Sequence, residues 1–191
     1  MDAGFAIVFG FALGFSLTIP PGPMNALIAA QSVRSLRSGI ITGLGAMSAD
    51  LILAVLVYSL RAEIPFGSIV RWVYLVGAGV MVFLGTRLLL RPRTEETTPD
   101  SHARTYTQGV LVGLSNPFQI VWWLTAGLAF AYLGGLLLFV ALFAAVAIWV
   151  VAFPYALHLG TRRHPGVSRA VVYVSCAILF AFAVYFVLLA L

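Results

Sequence analysis

Apolar residues run along this chain in six long stretches, roughly 4–31, 39–60, 66–90, 106–132, 134–158 and 167–190, and the short segments between them carry nearly all the arginines. A helix that crosses the hydrocarbon of a bilayer needs about 20 predominantly apolar residues. The pattern therefore predicts an all-α integral membrane protein of six spanning helices, with little chain left for an extramembrane domain. The first stretch has no cationic leader, contains Pro20, Pro21, Gly22 and Pro23 and runs on into more apolar sequence, so it reads as a retained span and not as a cleaved signal.

Composition closes off the soluble alternatives. Of 191 residues, 62% are apolar and 9% charged, against about a quarter charged in soluble proteins, and the mean hydropathy is +1.05. A single cysteine, Cys176, excludes an internal disulfide, a CxxC redox pair and a thiolate-ligated metal site. The net charge of +5 comes from arginine alone, and in a membrane protein it reports topology rather than nucleic acid. Nine arginines (34, 37, 87, 91, 93, 104, 162, 163 and 169) flank the first, third and fifth connections, and only Arg61 and Arg71 flank the second. The positive-inside rule then puts both termini outside the cytoplasm of a cell (inner or plasma) membrane. The one polar tract of any length, 91–105, holds Glu95, Glu96, Pro99, Asp100 and His102 and reads as a mobile cytoplasmic linker.

That linker separates two halves, 1–90 and 106–191, which resemble each other. Gly10 to Ser16 (GFALGFS) matches Gly109 to Ser115 (GVLVGLS) at an offset of 99 residues, and a proline-broken helix follows each match. With three spans per half, the second copy enters the membrane in the opposite orientation, the inverted repeat common among secondary transporters. Helices 1 and 4 are then both broken near mid-membrane.

The breaks carry the first chemical signal. Pro20, Pro21 and Pro23 delete three amide donors and stop a straight helix, and broken backbone at membrane depth is tolerated only against protein or a water-filled cavity. Pro23 suits the first position of a new half-helix, whose free amides at Met24, Asn25 and Ala26 turn a positive dipole end toward an anion. Carbonyls near Ser16 to Thr18, at the end of the preceding half-helix, are suited to a cation. In the second half, Asn116 and Pro117 form an N-cap and first helical position, leaving free amides near Phe118 and Gln119. A zwitterion between the two breaks would meet Pro21, Gly22, Pro23, Met24 and Asn25 on one side and Asn116, Pro117 and Gln119 on the other, with Trp122 or Trp123 as a wall. For Asn25 and Gln119 the plainer role is a helix-to-helix hydrogen bond.

Asp50 is the second signal. It is the twelfth residue of the stretch 39–60, about 16 Å along a helix rising 1.5 Å per residue, hence near the bilayer centre. No other acid lies so deep, and no Arg, Lys or His inside a span is available to pair with it. Such a group either alternates between protonated and ionised forms as a cavity opens to each side, or holds a substrate ammonium; the plainer role is a protonated acid making one hydrogen bond. The GxxxG pairs Gly10/Gly14, Gly39/Gly43 and Gly109/Gly113 suit close helix packing. Pro154 can kink the fifth span, and His158, Arg162, Arg163 and His164 sit at its arginine-rich end. No HExxH, GxSxG or phosphate loop is present, so the chain does not read as an enzyme or an ATP-driven pump, and no cofactor or metal site is expected.

Pro21-Gly22-Pro23, the basic turn from Arg34 to Arg37, the Gly43/Gly45-rich second span ending in Asp50, and Asn116-Pro117 together resemble the lysine/homoserine exporter (LysE/RhtB) family over essentially the whole chain. The resemblance implies a six-span inner-membrane exporter of amino acids or close analogues, driven by the proton gradient, with the Pro-Gly-Pro break and the span-2 aspartate at its centre. The chain departs from that pattern where Met24 precedes Asn25, where Ala49 replaces a glycine before Asp50, and where Phe118 stands in place of a basic residue. The expected partners are a small-molecule substrate, protons and lipid, with a homo-oligomer compatible and nucleic acid excluded. A proton-coupled exporter of a drug or metal cation, and a non-transporting membrane scaffold, are the alternatives.

Overall fold

The computed structural model describes residues 2–60, 66–90, 101–127, 135–163 and 165–190. These are helical throughout, with no strand among the described residues: α1 (Ala3–Thr18), α2 (Pro23–Arg34), α3 (Leu36–Leu60), α4 (Phe66–Leu90), α5 (His102–Ser115), α6 (Pro117–Trp122), a π-helical turn (Trp123–Gly127), α7 (Leu136–Arg163) and α8 (Pro165–Ala190). Most of the linker expected at 91–105 lies outside the described residues, as do Arg61 and Glu63. Its last residues belong to α5, because Ser101 caps that helix by accepting the Arg104 amide at 3.3 Å.

Proline and side-chain caps set the boundaries that matter. The last helical bond of α1 runs from the Ile19 amide to the Phe15 carbonyl, after which Pro20 and Pro21 have no hydrogen to donate. Gly22 is extended, Pro23 occupies the first turn of α2, and the two helices meet at 77°. At the other end of α2, Ser35 turns extended and its hydroxyl accepts the Ser38 amide at 3.0 Å, which starts α3. The second break is a single residue, Asn116, between Ser115 and Pro117.

Among the described residues, three helical segments are long and apolar enough to cross a membrane, Leu36–Ser59, Leu136–Gly160 and Ala170–Leu188, and the bent pair α1/α2 makes a fourth. Their outward faces carry exposed Val55, Tyr58, Val140, Val151, Val184 and Leu188, a surface matched to hydrocarbon and not to water. α2 is the exception: from Ala26 to Ser32 every residue is buried, since it lies among α3, α5, α7 and α8.

The main packing pairs are α1 with α7, α3 with α5, and α4 with α8. Small residues make the first two close. A methyl added at Gly10 would overlap the Leu138 carbonyl, and one at Gly14 would overlap Ala145 Cβ; likewise Gly109 lies against the Thr42 carbonyl and Gly113 against Ala49 Cβ. Without a hydrophobic drive between helices in lipid, such backbone approach supplies the dispersion contact that holds them. Gly39 packs against Ser32 and Pro154, and Gly43 against Val150, drawing α3 toward α2 and α7.

Candidate functional site

The two breaks border one cavity of about 130 Å³, walled by both helix interruptions, the middle of α3 and one face of α7. Of the residues expected at a site, Pro21, Gly22, Pro23, Met24, Asn25, Asp50, Asn116 and Gln119 line it. Pro117 is buried behind the wall, where it sets the break. Trp122 is also off the wall and stands edge-on to Trp123, ring centroids 5.2 Å apart.

Asp50, 4% exposed on α3, is held from the other half of the chain. Its Oδ1 accepts two hydrogen bonds, from Gln119 Nε2 at 2.6 Å and from Trp123 Nε1 at 2.8 Å. The i, i+4 spacing of Gln119 and Trp123 puts both donors on one helical face, and the π-helical turn opens at Trp123 itself. Such turns interrupt the regular ladder and recur at functional positions. Trp123 is fixed from behind by Phe143 of α7, stacked at 6.1 Å. Asp50 Oδ2 has no partner among the described residues, yet no buried polar side-chain atom is left unsatisfied there, so this oxygen opens onto the cavity that Asp50 lines. One oxygen is clamped and the other is free to meet a proton or a cation.

Asn25 does something other than wait for a ligand. Its Nδ2 donates to the Thr18 carbonyl at 2.6 Å and the Pro20 carbonyl at 3.0 Å, and its Oδ1 accepts from Trp149 Nε1 of α7 at 3.1 Å. One amide thus ties the end of α1 to the start of α2 and both to α7. The Thr18 carbonyl, expected to face a cation, spends one of its two lone pairs on the Asn25 amide. Two expected free amides are also taken, Ala26 by the Gly22 carbonyl at 2.9 Å and Phe118 by Asn116 Oδ1 at 3.2 Å. The amides of Met24 and Asn25 stay without a partner among the described residues. They form the positive end of α2 beside the cavity.

The sequence reading missed Trp149 and left open which of Trp122 and Trp123 faces the cavity; it is Trp123 that reaches the acid. The spacing of four from Gln119 was the available signal for Trp123. Nothing marked Trp149 except an indole N–H in an otherwise apolar stretch, a donor that must find a partner when buried. Among the described residues no three His, Cys, Asp or Glu side chains converge as a metal site would require, and His158 instead lies 3.3 Å from the Ser32 carbonyl.

The profile of the LysE type translocator family matches residues 15–190, which takes in both breaks, Asp50 and every cavity-lining residue. The chain is 33% identical over 123 residues to a protein of Bacillus subtilis (strain 168) named "Putative amino acid efflux protein YcgF", covering 59% of this chain and 57% of that relative. The chain thus aligns with little more than half of that relative's length. No solved structure matches the chain.

Proposed function

The chain belongs to the LysE type translocator family, and from that premise we propose that it is a membrane carrier exporting amino acids or close analogues by proton antiport, with Asp50 as the proton-carrying group. The observation that carries this reading is the carboxylate itself. Oδ1 is fixed by Gln119 and Trp123, and Oδ2 is open to a cavity between two helix breaks.

A bound amino acid sets its carboxylate against the Met24 and Asn25 amides and its ammonium against Asp50 Oδ2. Proton and ammonium then compete for one oxygen. Binding of a proton from outside releases the substrate there, and loss of that proton inside readies the carboxylate for the next one. An unpaired ionised acid in the bilayer interior costs several kcal/mol, so the empty, ionised carrier is disfavoured from reorienting, and the two movements are coupled.

The halves that move are residues 1–90 and 106–191, joined by the linker 91–105, as two inverted repeats of three spans. Their contacts support the symmetry. Gly10 and Gly109 are related by the offset of 99; each meets a backbone carbonyl, Leu138 and Thr42, which are 96 residues apart. Gly14 and Gly113 repeat the relation on Ala145 and Ala49, also 96 apart. A twofold exchange of the halves carries the α1–α7 pair onto α5–α3. Both polar links at the cavity, Asp50 with Gln119 and Trp123, and Asn25 with Trp149, cross between the halves, so rocking of one half against the other acts on the site directly. The arginine distribution supports a cell membrane location with both termini outside the cytoplasm.

The test is counterflow of labelled amino acids in proteoliposomes, with and without an imposed pH gradient, for the wild type and Asp50→Asn. Asparagine keeps the oxygen that accepts from Gln119 and Trp123 and removes only the titrating one. The expected result is saturable exchange in the wild type, accelerated by the gradient, and at least a tenfold loss with no response to the gradient in the variant. Gradient-driven accumulation by Asp50→Asn at the wild-type rate would contradict the coupling role.

A further inference from the structure

Resting on the reading of this cavity as an amino-acid site, we infer that it selects small α-amino acids with uncharged side chains, of the size of alanine and serine, and excludes basic, large aliphatic and aromatic ones. Volume is the first argument. The cavity, partly open with the half-exposed Phe118 in its lining, offers about 130 Å³, just under the roughly 150 Å³ that encloses a benzene molecule of about six heavy atoms. Alanine and serine match that size. Leucine, lysine and phenylalanine exceed it by several heavy atoms.

Several of the wall side chains are themselves held by packing. With the carboxylate on the Met24 and Asn25 amides and the ammonium on Asp50 Oδ2, the rest of the wall combines the apolar Leu17, Ile28, Met47, Val146 and Val150 with the uncharged polar side chains of Asn116 and Gln119. Ile28 and Val146 are fully packed from behind, at 2% and 1% exposed, and Val150 is wedged against Gly43. Met47 is the adaptable one, partly buried and unbranched, and is the residue that sets the size limit.

Charge is the second, independent argument. Among the described residues, Asp50 is the only ionisable side chain on the wall. A substrate with one ammonium and one carboxylate finds one partner for each, whereas lysine or arginine brings a second cation into a low-dielectric cavity with no counter-charge, and an acidic amino acid brings a second anion beside Asp50.

The experiment is counterflow with labelled alanine, serine, leucine, lysine and phenylalanine in proteoliposomes, for the wild type and for Met47→Ala, with Ile28→Ala as a second enlarging variant. The wild type is expected to exchange alanine and serine at least ten times faster than the other three. Met47→Ala or Ile28→Ala is expected to raise the leucine-to-alanine ratio several-fold while leaving lysine excluded. Wild-type exchange of lysine or phenylalanine at the alanine rate would overturn the selectivity and leave the carrier reading standing. Silence across the whole panel from folded protein would overturn the carrier reading, and this inference with it.

Discussion

The two helix breaks occupy matching places in two similar sequences and do opposite things. At the first, the residues from Ile19 to Gly22 interrupt the helix, Gly22 is extended and the helices part at 77°; its side chain of consequence, Asn25, is spent on the protein's own carbonyls and on Trp149, so the backbone amides of Met24 and Asn25 are what remains for a ligand. At the second, one residue interrupts the helix, Asn116 covers the Phe118 amide, and what reaches the cavity region is side chain: Gln119 and Trp123 gripping Asp50. One break presents backbone and the other presents side chains. Two helix breaks thus present different groups to one cavity, because capping of the first amides decides which groups are left over.

Predictions that strain this comparison run from gross packing to single caps. The largest effect is expected where α1 meets α7 and α5 meets α3. Gly14→Leu and Gly113→Leu each drive a side chain into a facing helix with no room to yield, costing about 3 kcal/mol or more, read as loss of folded protein in detergent by thermal denaturation; Gly79→Ala, in open space on α4, stays within about 0.5 kcal/mol. A tolerated Gly113→Leu would remove the close α3–α5 contact from the account.

Next comes the staple. Asn25→Ala deletes three hydrogen bonds and strands the Trp149 indole, for an expected loss of about 2–3 kcal/mol, whereas Asn116→Ala removes one cap and costs about 1 kcal/mol. Equal losses in chemical unfolding would mean that the two breaks are held alike. The tryptophans separate by function. Trp123→Phe takes one donor from Asp50 Oδ1 and is expected to slow gradient-driven transport about tenfold, equivalent to about 1.4 kcal/mol, with Trp122→Phe within twofold of wild type. The reverse order in proteoliposome flux would return Trp122 to the site.

Much of this was legible in the sequence, and the rest was not for identifiable reasons. Prolines 20, 21, 23 and 117 break helices through their own covalent geometry, so the breaks could be placed to the residue. Asp50 stood out because a lone acid in an apolar stretch has few explanations, and the packing glycines announced themselves by spacing. What spacing cannot convey is which distant group meets which. The Asp50 contacts join residues 69 and 73 positions apart, and the Asn25–Trp149 contact spans 124. Asn25 read either as a ligand for substrate or as a helix-to-helix link, and sequence could not name its partners because the two carbonyls folded back by the bend come within reach only at the angle the prolines create. The free amides at Ala26 and Phe118 were over-counted for a related reason: the residue before each proline already closes the first turn.

The central claim is that Asp50 exchanges a proton for substrate across the membrane. The most direct test loads proteoliposomes with alanine and a pH-sensitive dye, dilutes them into alanine-free buffer with the membrane potential clamped, and follows the lumen. Antiport through Asp50 predicts that the lumen acidifies as alanine leaves, and that Asp50→Asn vesicles show neither change. Alanine efflux from wild-type vesicles with an unchanged or rising lumenal pH would contradict it.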